Sequence, residues 1–109
     1  MNLVSSRDRF LNSKLFFSKI ELGKILDCYS LGVSKGSWKD YAITFSKQEA
    51  SFFIYKHSLS HPDLILTKSK KNKKGLIFFN LILKNQKGTI FSKIDDGIAL
   101  IKRNNFKII

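Results

Sequence analysis

Few side chains in this chain could do chemistry, and they are scattered. His57 and His61 have the H-x3-H spacing that binds a metal when both imidazoles share a helix face. Pro62 follows directly, so the context is a loop, and Asp63 is the only carboxylate close by. Zinc asks for three or four ligands, so the pair reads as surface histidines. Cys28 could serve as a nucleophile if an imidazole activated it. It falls instead at the flank of an apolar helix stripe, where cysteine acts as a small hydrophobe. Asp40, between Trp38 and Tyr41, is the most tempting general base, a role that needs a raised pKa and a partner acid. Asp95 and Asp96 are the imaginable partner, but they already make sense as a helix cap. Asp40 is therefore expected to bond the backbone of a turn or to pair with a lysine. Trp38 is expected to plug the end of a helix–sheet core, its indole N–H on a local acceptor. Gly-rich phosphate loops, dinucleotide fingerprints and G-x-S-x-G elbows are missing from the sequence. No catalytic residue, metal site or cofactor is expected, and the chain does not read as an enzyme.

The one dense charged cluster is Lys68, Lys70, Lys71, Lys73 and Lys74. Between two strands it could hold phosphate. It could equally be a solvated hairpin tip that protects a sheet from edge aggregation. The second reading is preferred, because lysines position a phosphate but read no sequence. An RNA-reading sheet would add exposed stacking rings in a Lys/Arg-Gly-Phe-like signature, and Phe78-Phe79 lies inside an apolar run without it.

The net charge is +12, which suggests an anionic partner such as nucleic acid or a membrane surface. The excess is almost all lysine, and Lys, Phe, Ile and Asn all have A- and T-rich codons. Genome composition is therefore a competing source of the charge, and arginine, the residue suited to planar phosphate contacts, is scarce. One cysteine excludes an internal disulfide and points to a reducing cytoplasm. The longest apolar run, Leu76 to Leu83, is far short of the roughly 20 residues of a membrane span. The opening residues lack the apolar core of a secretory signal.

At 109 residues the chain has room for one core. Residues 1–13 read as a flexible segment and 14–109 as a single α+β domain. Leu15-Phe16-Phe17 is extended. Ser18 and Glu21 then form a capping box, with Phe17 and Leu22 placed as a hydrophobic staple. The helix should cover about residues 19–35 and stop at Gly36 in a left-handed cap. Leu22, Ile25, Leu26, Tyr29 and Val33 form its apolar face, with Ile20 and Leu31 opposite. The period then changes to two: Tyr41, Ile43 and Phe45 open a first strand. Further strands are expected over 51–57, 64–67, 76–84 and 89–92, with lysine-rich residues 68–75 as a turn. A short helix follows, capped by Asp95 or Asp96 and ending near Arg103, and 106–109 are expected to return as an edge strand. Connections this short favour an antiparallel meander.

The strands at 51–57 and 76–84 are apolar on both faces, as strands buried on both sides are. One helix covers one sheet face, and the C-terminal helix only part of the other. Residues 15–17 or another chain must cover the rest, so a protein partner or self-association is expected.

Glu21-Leu22, Ile25-Leu26, Tyr29, Val33, Gly36, Trp38 and Asp40-Tyr41-Ala42 read together as E-L-x2-I-L-x2-Y-x3-V-x2-G-x-W-x-D-Y-A. The pattern resembles a family of small alphaproteobacterial proteins of unknown function, over about residues 17–109. The resemblance implies a bacterial cytosolic protein and supplies no activity, cofactor or site residue. The chain is expected to be a non-catalytic protein-binding or adaptor module acting through a sheet face or edge. The alternative is an RNA- or ribosome-associated protein using the lysine turn.

Overall fold

The computed structural model describes residues 14–58, 61–71 and 75–106. Helix α1 (Lys19–Ser34) leads into strands β1 (Asp40–Phe45), β2 (Glu49–Tyr55), β3 (Leu64–Lys71), β4 (Leu76–Leu83) and β5 (Thr89–Phe91). Helix α2 (Ile94–Asn105) ends the described chain. The strands form one antiparallel sheet in the order β1-β2-β3-β4-β5, the expected meander. The expected flexibility of 1–13 lies outside the described residues, as does the expected edge strand at 106–109 apart from Phe106, which caps the C-terminal helix.

Both ends of α1 are set by local chemistry. Glu21 N–H donates to Ser18 Oγ at 3.1 Å, and Ser18 N–H donates to Glu21 Oε1 at 2.8 Å, completing the capping box. At the other end Gly36 takes φ 75°, a left-handed value that glycine adopts without a Cβ penalty. Gly36 N–H reaches Val33 C=O, and Ser37 N–H reaches Gly32 C=O at 2.8 Å, the paired bonds of a Schellman cap.

The buried line of α1 differs from the expected one. It runs Ile25, Cys28 and Gly32, with Leu22, Leu26 and Tyr29 beside it and Val33 exposed. Cys28 is therefore central rather than flanking. Trp38 draws the line toward Gly32: a methyl group on Gly32 would overlap the indole, so only glycine lets helix and ring meet.

Two further expectations are corrected. Asp95 and Asp96 do not cap α2. They sit in its first turn, and Lys93 is the N-cap residue without a side-chain bond. Their charge still complements the helix N-terminus. Nor does α2 reach the second sheet face. Ile94, Ile98 and Ile101 join the same core as α1, and Lys24 Nζ meets Asp95 Oδ1 at 2.7 Å between the helices. The spacing of those three isoleucines gives α2 one apolar side, which the existing core takes up.

Residues 15–17 also stay on the helix side. Phe17 is buried in the core, and the Phe16 ring lies 4.6 Å from that of Phe45. Leu15 N–H donates to Ser46 C=O at 2.8 Å. The sheet is thus two-layered, with both helices on one face.

Candidate functional site

Strand parity sorts the side chains. The cross-strand sets Phe52–Leu66–Leu81 and Ile54–Leu64–Leu83 lie under the helices and are buried. The sets between them face the other way. One such row is Ala42–Phe53–Ile65–Ile82, apolar across four strands. The next is polar, Thr44–Ser51–Thr67–Asn80, with Ser51 and Thr67 hydroxyls bonded at 3.0 Å. Ile90 of β5 stands opposite Asn80 at the end of this row, and Phe78 and Leu76 lie beyond it; Leu76 and Ile90 are among the most exposed large apolar side chains. Among the described residues no helix covers this face.

A groove of about 560 Å³ opens at that end. Leu76, Phe78 and Ile90 supply its apolar lining, and Lys70 and Lys71 its positive charge. Gln48, Glu49 and Ser69 complete it. The arrangement gives apolar contact beside an ammonium group, which suits a ligand that pairs an apolar side chain with a carboxylate. A smaller crevice of about 190 Å³, lined mainly by polar groups including Asp63, Lys84 and Asn105, lies at the end of α2.

The expected lysine cluster divides. β3 continues through Lys68 to Lys71, so these are strand residues and not a turn. Lys68 follows Leu64 and Leu66 at intervals of two and so points to the core side. It is buried, and its ammonium donates to Glu21 Oε1 at 2.8 Å and to Phe16 C=O at 3.0 Å. It is no contact for an outside anion. Burial pushes the Glu21 carboxyl up, but the Lys68 and Ser18 hydrogen bonds and the Lys68 charge outweigh that and hold it below its ordinary value. One carboxylate oxygen therefore ties β3, the helix cap and, through Lys68, the incoming chain. Lys70 and Lys71 are exposed. Lys73 and Lys74 lie outside the described residues.

Around the helix–strand joint the aromatic side chains pack on one another. Trp38 is buried, stacks with Tyr29 at 6.3 Å and touches Phe106 at 5.3 Å. Its Nε1–H is directed to Asp63 Oδ2 at 3.4 Å, an acceptor 25 residues away rather than a local one. Tyr41 stacks on Phe52 at 5.0 Å and meets the edge of Tyr29. Asp40 Oδ1 accepts from Tyr41 N–H at 2.8 Å, a backbone role. Cys28 is sealed in the core; burial pushes its thiol up, with the Lys102 charge offsetting part of the effect. Thiolate chemistry is disfavoured there. Among the described residues, no three His, Cys, Asp or Glu side chains gather as a metal-binding group.

Sequence reasoning found the apolar surplus and missed where it emerges. Two signals were available. Lys68 shares the parity of Leu64 and Leu66, and Gly32 lies seven residues from Ile25 on one helix line, where a glycine marks close approach.

A family profile described as "Protein of unknown function (DUF2794)" matches residues 15–101. The chain belongs to this family. The match takes in α1, all five strands, the groove and α2 as far as Ile101, so the DUF2794 unit covers most of the two-layer domain described above. No curated protein and no solved structure matches the chain significantly. Among the described residues no helix is long and apolar enough to cross a membrane.

Proposed function

We propose that this DUF2794 protein is a non-catalytic, cytoplasmic binding module whose open sheet face docks a segment of another protein. The observation that carries the reading is the uncovered apolar set Phe53, Ile65, Ile82, Leu76, Phe78 and Ile90, with Lys70 and Lys71 at one end. Contiguous apolar surface rimmed by polar groups marks an interaction site. Charge complementarity selects the partner: a chain of net charge +12 with lysines beside its groove favours a segment carrying carboxylates next to leucine or phenylalanine.

The test is a titration of isotope-labelled protein with a synthetic peptide that alternates leucine and glutamate. Resonance shifts at Ala42, Phe53, Ile65, Phe78 and Ile82, weakened by Phe78→Ser and by Lys71→Glu, are the expected result. Shifts confined to the helix side would overturn the reading. A single-stranded RNA that binds more tightly than the peptide, with affinity falling steeply in salt, would replace it with the RNA-associated alternative.

A further inference from the structure

The two edges of the sheet are unequal. β5 is three residues long and pairs only with Phe79–Leu81. β1 is six residues long, pairs continuously with β2 and, among the described residues, has no strand on its other side, Leu15 N–H meeting it only past its end at Ser46 C=O. Long open edges are ordinarily blunted by lysine, proline or a bulge. This chain is rich in lysine, yet Asp40–Phe45 contains neither lysine nor proline.

The direction of the backbone groups on β1 follows from its neighbours. Ser46 N–H donates to Glu49 C=O across the β1–β2 turn at 2.7 Å. In an antiparallel ladder the inward and outward pairs alternate. Ala42 and Thr44 therefore bond β2, while Tyr41, Ile43 and Phe45 turn their N–H and C=O groups to the open side. The Tyr41 N–H confirms the direction by taking Asp40 Oδ1 as its partner. Tyr41 and Phe45 are also 43% and 38% exposed although they stand on the core side of the sheet.

We infer that β1 pairs with β1 of a second copy, antiparallel and centred on Ile43, joining two sheets into one of ten strands. The strand is its own complement in this register. Ile43 faces Ile43 of the second copy, and Tyr41 faces Phe45, so the exposed parts of the Tyr41 ring, stacked on Phe52, and of the Phe45 ring, packed on Phe16, meet on the core side as a cross-strand aromatic pair. The two Ile43 residues exchange N–H and C=O, and each Phe45 N–H finds the Tyr41 C=O opposite. Asp40 keeps its bond to Tyr41 throughout. The pairing keeps the same face of both sheets open, and the Lys70–Lys71 groove lies two or more strands from the junction. Lys39 and Lys47 flank the junction, and each copy carries +12, so added salt tightens the dimer. Salt dependence of the opposite sign belongs to a phosphate ligand.

Analytical ultracentrifugation of the full chain across a concentration series, at low and moderate salt, tests the inference. A monomer–dimer equilibrium that shifts toward dimer with salt is expected. Ile43→Pro should abolish it. The proline removes an outward N–H and costs no bond to β2, though it trims a side chain packed against the core, and circular dichroism checks that the fold is retained. Ile43→Cys should cross-link on oxidation with diamide, because opposed residues of a hydrogen-bonded pair have Cα atoms about 5.5 Å apart, within disulfide reach. Thr44→Cys should not. A protein that stays monomeric at several hundred micromolar, a dimer that survives Ile43→Pro, or equal cross-linking at positions 43 and 44 would each overturn it. The edge and the open face are different surfaces. Loss of dimer with retained peptide binding, or the reverse, shows which idea has failed.

Discussion

Phe52 and Phe53 are neighbours in β2, yet they belong to two different surfaces. Phe52 is fully buried between Tyr29 and Tyr41 under α1. Phe53 lies in the row Ala42–Phe53–Ile65–Ile82 on the face without helices. The same alternation separates Leu81 from Ile82 in β4. Antiparallel sheets often leave one face to water, and that face is then polar. Here it stays apolar in places where folding gains little from it. The helix side carries the buried core, and the open side carries the apolar row on which the proposed docking rests.

Matched substitutions break this comparison most directly. Phe52→Ala should cost about 3–5 kcal/mol, the range for a large aromatic removed from a close-packed core. Phe53 is half-buried, so Phe53→Ser should cost less, about 1–2 kcal/mol, and should weaken peptide binding as well. Urea unfolding of both variants measures the difference. Equal losses would mean that the open face is a second core.

Gly32 sharpens the stability side. In an exposed helix, Gly→Ala gains about 1 kcal/mol from propensity. At Gly32 the added methyl must displace the Trp38 ring, and overpacking of this kind costs about 1–3 kcal/mol. Gly32→Ala should therefore lower the urea midpoint, whereas Gly23→Ala, with open space around it, should raise it. A stabilised Gly32→Ala would show that Trp38 is not held by the helix.

Lys68 makes the comparison among charges. Lys68→Ala should cost about 1–3 kcal/mol, below the full figure for a buried pair because both side chains keep some contact with water. Lys71→Ala, on the open side, should change stability by less than about 0.5 kcal/mol. The Lys24–Asp95 bridge is exposed at both ends and belongs with Lys71 in this respect.

The fold was legible wherever a local rule determines it. The Ser18–Glu21 box, the Gly36 cap and the change of period at Tyr41 each act within a few residues, and each is present. The features that were not legible depend on distant partners. Lys68 is a strand residue because Glu21, 47 positions away, gives its ammonium a place in the core. The buried line of α1 moves to Cys28 and Gly32 because Trp38 folds back across the helix end. The side taken by α2 depends on which face already has a core to join. The open face was legible as an apolar surplus, but its location needed the register.

The smallest expected effect is a pH dependence, and its sign is determined by Glu21. The carboxyl is held below its ordinary value of 4.5, because hydrogen bonds from Lys68 and Ser18 and the ammonium charge outweigh the cost of burial. A carboxylate with a lowered folded pKa stabilises the protein fully above its unfolded value. That contribution is lost as the pH falls through the lowered one. Wild-type protein should therefore lose melting temperature more steeply than Glu21→Gln as the pH falls below the ordinary carboxyl value, and the two curves should converge toward the acid end. The slope belongs to the covered side of the sheet alone, since Glu21 and Lys68 both face the helix layer. Substitutions on the open face, such as Phe53→Ser, should leave its shape unchanged. If Phe53→Ser altered the acid slope as much as Glu21→Gln, the two faces would be coupled through the sheet rather than divided by it.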